Sequence, residues 1–174
     1  MDTTALEFSL PNAAAGPDPL SIADLSPDTR FVVLFFQRDH YCTNCRDQVQ
    51  AVADRVEAFR ARGAEPVSVV PEPLDRVEQW QAEYDLPYPL LADPDASVGD
   101  AYGQPVRFGL LGDVSDFLGR MPQIVVLDRD SDAGSPEVVY TYSSNSTFDR
   151  PSIDELLATL DDLAADGETA SLDS

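Results

Sequence analysis

The most constraining feature of the sequence is the stretch of residues 30–50, RFVVLFFQRDHYCTNCRDQVQ. It contains six consecutive β-branched, aliphatic and aromatic residues, Phe31 to Phe36, which is typical of a strand buried on both faces. A polar turn follows, and Cys42 and Cys45 then stand three residues apart where a helical pattern begins. These are the only two cysteines of the chain. We therefore predict a central strand, a turn, and a helix whose start carries both thiols.

The two cysteines are predicted to differ in their surroundings. Apolar residues recur at steps of three and four and so mark one buried helix face: Cys45, Val49, Val52, Val56 and Phe59. Cys42 lies one turn before this stripe, at the end of the helix that we expect to be exposed. The pattern therefore predicts Cys42 as the better-exposed thiol and Cys45 as the sheltered one.

The remaining pattern is that of an α/β layered domain with a mixed sheet. After the opening strands, the order is helix, strand, helix, helix, a two-strand hairpin and a final amphipathic helix. The predicted strands outside the central one are residues 6–10, 20–22, 66–70, 123–127 and 137–142. We predict one domain over residues 1–164 and a disordered acidic tail over residues 165–174.

The charge of the chain limits the kinds of environment and partner that we expect for it. Formal net charge is −21, and all eleven basic residues are arginines, with no lysine. Such a surface repels nucleic acid and anionic membranes, and the absence of lysine beside abundant aspartate predicts adaptation to a salt-rich cytoplasm, as in a halophile. No signal peptide is visible at the N-terminus, and no run approaches the ~18 apolar residues of a membrane span. We therefore expect a cytoplasmic protein.

A pair of close cysteines at a helix start predicts thiol redox chemistry. Free backbone N–H groups and the helix dipole stabilise a thiolate there, and the spacing lets one thiol attack while the other resolves the product. A zinc site is the main competitor, but it needs about four ligands. The chain offers two cysteines and one histidine, His40, which we interpret as a turn residue. Two inert packing thiols are the remaining alternative.

Several segments together resemble a known family. A strand, a CxxC helix and a proline before a later strand, PQIVVL at residues 122–127, resemble the layout of thioredoxin-fold proteins. Within that superfamily, EYDLPYPLLADP at residues 83–94 and VGDAYG at residues 98–103 are similar to peroxiredoxins of the alkyl hydroperoxide reductase type. The resemblance implies a thioredoxin-like fold, with a central mixed β-sheet flanked by helices. It further implies that Pro122 belongs to a cis-proline loop that docks the substrate, and that Arg120 polarises the peroxide.

The cysteine motif itself departs from the family pattern. Peroxiredoxins place Thr or Ser three residues before the cysteine that attacks peroxide. Here Cys42 stands three residues before Cys45, and Asp39 stands three residues before Cys42. Matching by position favours Cys45 as the attacking thiol, whereas exposure favours Cys42.

The resemblance implies a thiol-dependent antioxidant oxidoreductase that reduces peroxides through a Cys42–Cys45 disulfide. A dithiol donor such as thioredoxin or glutaredoxin would reduce that disulfide, and no metal or organic cofactor is implied. Two alternatives stay open: a thioredoxin-type protein disulfide oxidoreductase, and a redox sensor or binding module without turnover. The oligomeric state, monomer or homodimer, is open as well.

Overall fold

The structure is a computed structural model that describes residues 8–38, 42–103, 121–130, 135–143 and 151–172, with side chains described up to residue 166. Predictions for Asp39, His40 and Arg120 fall outside these ranges. The strands of the described residues are β1 Ser9–Leu10, β2 Leu20–Ser21, β3 Phe31–Phe36, β4 Ala64–Val70, β5 Leu90–Ala92, β6 Gln123–Asp128 and β7 Glu137–Ser143. The helices are α1 Thr43–Asp54, α2 Val56–Arg60, α3 Leu74–Tyr84, α4 Ser97–Ala101 and α5 Ile153–Leu172.

The main sheet has five strands in the order β5-β4-β3-β6-β7, so β3 is its central strand. β3 and β5 run parallel to β4, whereas β6 runs antiparallel to β3 and to β7. β1 and β2 form a separate antiparallel pair. The prediction of an α/β thioredoxin-like fold with a central mixed sheet is confirmed.

Burial on both faces explains why β3 is apolar throughout. Phe31, Val33 and Phe35 point into one core cluster, together with residues of α1, α2, α3 and α5. The alternate residues point into a second cluster, formed with β1, β2 and α4. Successive side chains of a strand alternate between faces, so a strand with other elements packed on both faces favours apolar residues at successive positions.

The helix after the cysteines is divided in two, where we predicted one continuous element. Arg55 has φ −118° and ψ 16°, outside the helical region, and separates α1 from α2. Its backbone N–H donates to the Val52 carbonyl oxygen at 3.1 Å, which is a tighter turn than an α-helix makes. After the bend Phe59 packs edge-on against Phe35, with ring centroids 6.3 Å apart. The break in the helix still allows the Phe59 ring to pack against the sheet. The spacing of the apolar residues therefore does not indicate where the helix is broken.

The final helix begins at a capping box formed by Ser152 and Glu155. The Glu155 backbone N–H donates to Ser152 Oγ at 3.1 Å, and the Ser152 N–H donates to Glu155 Oε2 at 2.9 Å. The helix continues to Leu172 and so includes most of the segment that we predicted as a disordered tail. The domain limits of residues 1–164 stay a prediction. Within the described ranges, no helix has the length and apolar character needed to cross a membrane.

A buried tyrosine joins the sheet to the helix that carries the cysteines. The Tyr88 hydroxyl donates to the Val49 carbonyl oxygen of α1 at 3.0 Å and lies 3.0 Å from Ser68 Oγ of β4. Tyr88 is fully buried, and this burial raises the pKa of its hydroxyl, which therefore stays protonated and available as a donor.

Replacing this tyrosine tests its role as an anchor for α1. We expect Tyr88→Phe to lower the free energy of unfolding by about 1–3 kcal/mol, because Ser68 Oγ and the Val49 carbonyl lose a buried partner. Chemical denaturation measures the change. Tyr140→Phe, on the edge strand β7 where the side chain is only partly buried, is the matched control and should change stability by less than about 0.5 kcal/mol. Equal effects of the two substitutions would contradict the anchor.

Candidate active site

The two cysteines lie at the edge of the sheet where β3 and β4 both end. Because these strands are parallel, their carboxyl ends meet at one edge. The pairing continues one residue beyond β3, since the Gln37 N–H donates to the Val69 carbonyl oxygen at 2.9 Å. The chain then reaches Cys42, which directly precedes α1. The sheet therefore fixes the start of the segment that delivers the first thiol.

Cys42 and Cys45 form a disulfide, with their Cα atoms 5.2 Å apart. This separation falls within the usual range for disulfides, about 4.4–6.8 Å. The predicted contrast in exposure is small, because Cys42 is 2% exposed and Cys45 is fully buried. Helical periodicity identified which thiol faces the core, but it did not show that the other thiol is covered as well.

Cys42 is the N-cap residue of α1. Its Sγ accepts a hydrogen bond from the Cys45 backbone N–H at 3.2 Å, and its carbonyl oxygen accepts one from the Arg46 N–H at 3.1 Å. The first N–H groups of a helix have no partner within the helix, and the helix dipole places partial positive charge there. In the reduced protein this position favours negative charge on the Cys42 sulfur.

Cys45 receives a different donor, and a pair of buried glutamines lies next to it. The Arg38 backbone N–H donates to Cys45 Sγ at 3.5 Å. Gln37 Nε2 donates to Gln48 Oε1 at 3.2 Å, and both side chains are buried. Sequence reasoning did not single out these glutamines. The available signals were a glutamine directly after the apolar strand and another one turn beyond Cys45, beside the buried stripe.

Arg46 is a second feature that the sequence analysis missed. Its guanidinium lies 5.7 Å from the centroid of the Trp80 ring and 3.8 Å from the Glu83 carboxylate, and it donates to the Tyr84 hydroxyl at 3.5 Å. These three partners belong to α3, so Arg46 connects the first turn of α1 to a neighbouring helix. The spacing of Trp80 and Tyr84, four residues apart on a helix, was the signal for such a surface.

Pro122 lies at the same edge of the sheet as the cysteines. It is buried and precedes Gln123, which pairs with Phe36 at the end of β3. The resemblance left open whether the Met121–Pro122 bond is cis, and since the cis peptide bond among the described residues is Asp18–Pro19, the Met121–Pro122 bond is trans. Pro122 lies directly before β6, so its missing N–H removes no hydrogen bond from the strand pairing. The role of Pro122 in substrate docking stays a prediction.

No cluster of three or more His, Cys, Asp or Glu side chains suited to a metal ion occurs in the described part of the chain. The described part of the candidate site consists of the disulfide, the backbone N–H donors at each sulfur and the buried amide pair. This arrangement supports reversible oxidation of two thiols.

Comparison with known proteins identifies the family. The model of the AhpC/TSA family matches residues 1–132. The chain therefore belongs to the AhpC/TSA family. A search of curated proteins finds no match.

Solved structures of peroxiredoxins share the fold. The bacterioferritin comigratory protein of Xanthomonas campestris is 14% identical, with a TM-score of 0.73 over 94% of this chain and 96% of that one. Peroxiredoxin Q of the same organism is also 14% identical, with a TM-score of 0.72 over 92% and 94%. Peroxidoxin BcpB from Mycobacterium tuberculosis is 26% identical, with a TM-score of 0.65 over 88% and 91%. The first two matches show the shared fold. The family match, together with the 26% identical BcpB structure, confirms the prediction of a peroxiredoxin-like thiol peroxidase.

The capping role of Cys42 predicts a difference between two substitutions at one position. Ser retains an acceptor for the Cys45 N–H, whereas Ala does not, so Cys42→Ser should be more stable than Cys42→Ala by about 0.5–2 kcal/mol. Denaturant unfolding of both variants measures this difference, and neither variant can form the disulfide.

Position 43 supplies the matched control. Thr43 is exposed in the first turn of α1 and is not its N-cap residue, so Thr43→Ser should gain no such advantage over Thr43→Ala. If Ala and Ser are equally stable at position 42, the sulfur of Cys42 is not an effective cap.

Proposed function

We propose that this protein reduces peroxides through a Cys42–Cys45 dithiol–disulfide cycle in which Cys42 attacks. One observation carries the choice of Cys42: its sulfur is the N-cap acceptor of the Cys45 N–H at 3.2 Å. Helix N-termini lower the pKa of a cysteine and so raise the fraction of the reactive thiolate. Matching by position to the family favours Cys45 instead, and the experiment below separates the two assignments.

The proposed catalytic cycle has three steps. The Cys42 thiolate attacks one peroxide oxygen, the O–O bond breaks, and the leaving alkoxide or hydroxide takes up a proton, giving a sulfenic acid and an alcohol or water. The Cys45 thiolate then attacks the Cys42 sulfur, the S–S bond forms, and hydroxide leaves and is protonated to water. Finally, a dithiol donor is oxidised to its disulfide and returns both thiols.

The surroundings of the site suggest roles for two further residues. Arg120 directly precedes Met121 in the sequence, and the family resemblance supports a role for it in polarising the peroxide. Pro122 is buried at that edge and supports docking of the substrate. Both roles belong to the proposal.

The reductant and the cellular setting complete the proposal. Thioredoxin and glutaredoxin reduce disulfides by thiol–disulfide exchange, so we infer such a protein as the donor. A net charge of −21 without lysine supports work in a salt-rich cytoplasm.

Disulfide exchange is the second candidate function. The same helix start favours attack of a Cys42 thiolate on a protein disulfide, with Cys45 resolving. A sensor whose disulfide changes a partner surface is the third candidate. Each is a distinct outcome of one experiment.

The experiment follows peroxide consumption at high salt with thioredoxin, thioredoxin reductase and NADPH, and insulin reduction in parallel. Wild type, Cys42→Ser and Cys45→Ser are compared with Thr43→Ala, an exposed neighbour, as the matched control. We expect wild type and control to turn over peroxide, Cys42→Ser to be inactive, and Cys45→Ser to consume one equivalent and then stop. A protein donor is essential, because a small dithiol reduces a sulfenic acid directly.

The other outcomes are equally clear. If Cys45→Ser loses even the first equivalent while Cys42→Ser retains it, Cys45 is the attacking thiol. Insulin reduction without peroxide consumption identifies a disulfide oxidoreductase. If wild type shows neither activity while its disulfide forms and breaks reversibly, the sensor assignment replaces both.

A further inference from the structure

Two buried amide side chains adjoin the residues of the site: Gln37 precedes Arg38, whose N–H contacts Cys45 Sγ, and Gln48 lies about one helical turn after Cys45. Gln37 is fully buried and Gln48 is 9% exposed, and Gln37 Nε2 donates to Gln48 Oε1 at 3.2 Å. Burial of a primary amide is unfavourable unless the amide is hydrogen-bonded, and apolar residues of the same length are cheaper to bury. Packing alone therefore does not explain why two amide side chains occupy these positions.

The bridge joins the end of the central strand to the cysteine helix. Gln37 is fixed to the sheet because its backbone N–H donates to the Val69 carbonyl oxygen at 2.9 Å. Gln48 lies on α1, three residues and so about one turn beyond Cys45. The bridge thus sets the offset between the sheet edge and the first turns of α1.

This offset determines a contact at the sulfur of Cys45. Arg38 follows Gln37, and its backbone N–H donates to Cys45 Sγ at 3.5 Å. Sulfur accepts hydrogen bonds at longer distances than oxygen, but the bond weakens quickly with misalignment. A small displacement of α1 relative to β3 would therefore remove it.

We propose that the Gln37–Gln48 bridge positions the resolving thiol, by holding Cys45 Sγ at the Arg38 N–H so that Cys45 is stabilised as a thiolate. This role rests on the proposed function, in which the Cys45 thiolate is the resolving nucleophile. There, Cys45 attacks the oxidised Cys42 sulfur, the S–S bond forms, the S–O bond breaks, and the released hydroxide is protonated to water.

Charged groups around this thiol are the same in every variant of the test. On α1, Arg46 follows Cys45, and its guanidinium lies 3.8 Å from the Glu83 carboxylate of α3. On the strand side, Arg38 donates its backbone N–H to Cys45 Sγ. None of these residues is substituted, so a changed pKa of Cys45 reports the bridge.

The test measures the pKa of Cys45 by the ultraviolet absorbance of the thiolate, because this readout needs no reagent to reach a buried sulfur. Cys42→Ser is the background, and a variant lacking both cysteines is subtracted to remove tyrosine absorbance. We expect Gln48→Met to raise the pKa of Cys45, so that the thiolate fraction at a fixed pH below the pKa falls about threefold to tenfold, the value of one hydrogen bond. The matched control is Gln50→Met, on an exposed position of the same helix.

Gln37→Met and the double variant complete the test. If the two glutamines act as one bridge, the double variant should show the same change as either single variant. Because it leaves no unpaired amide, it also keeps the test decisive if a single variant fails to fold. An unchanged pKa with a lowered melting temperature would reduce the bridge to a packing role and overturn the proposal.

The measurement is independent of peroxide turnover. If the wild type fails to consume peroxide but Gln48→Met raises the pKa of Cys45, the positioning role of the bridge stands and only the proposed function is contradicted. If the wild type consumes peroxide but Gln48→Met leaves the pKa of Cys45 unchanged, the proposed function stands and only the positioning role of the bridge is contradicted.

Discussion

Burial of β3 on both faces is the constraint on which the site depends. Transfer of Phe31 to Phe36 out of water is favourable by roughly 25 cal/mol for each Å² of apolar surface, and all six residues are buried. An interior position in a sheet that is covered on both faces buries such a run completely. This position fixes where the strand ends, and the residues that follow it reach the edge formed by β4 and β6. Cys42 and Cys45 lie there because the strand ends there.

Backbone N–H groups supply the donors at both sulfurs in the described site. The helix start presents the Cys45 N–H to Cys42 Sγ, and the segment after β3 presents the Arg38 N–H to Cys45 Sγ. Main-chain donors are held by the fold, so the reduced protein does not need to order a side chain to stabilise a thiolate. In the proposed cycle, this arrangement allows one thiol to attack and the other to resolve without a cofactor.

The sequence predicted the features that rest on local pattern and did not predict those that rest on tertiary contacts. An unbroken apolar run predicted the central strand, and the spacing of Cys42 and Cys45 predicted their pairing. The break at Arg55 depends on how the helix packs against the sheet, which periodicity does not encode. The Gln37–Gln48 contact joins residues eleven apart on different elements. Neither feature could be predicted from local sequence pattern, because each depends on contacts that only the folded chain makes. The prediction for Arg120 falls outside the described residues.

The central claim is that peroxide converts Cys42 and Cys45 directly into the disulfide seen here. The most direct measurement adds one equivalent of hydrogen peroxide to the fully reduced protein at high salt, without a reductant, and follows residual peroxide and intact mass. We predict that one peroxide is consumed per chain, that two hydrogens are lost, and that no thiol remains open to alkylation under denaturing conditions. Persistence of the peroxide with both thiols still alkylated would contradict the account.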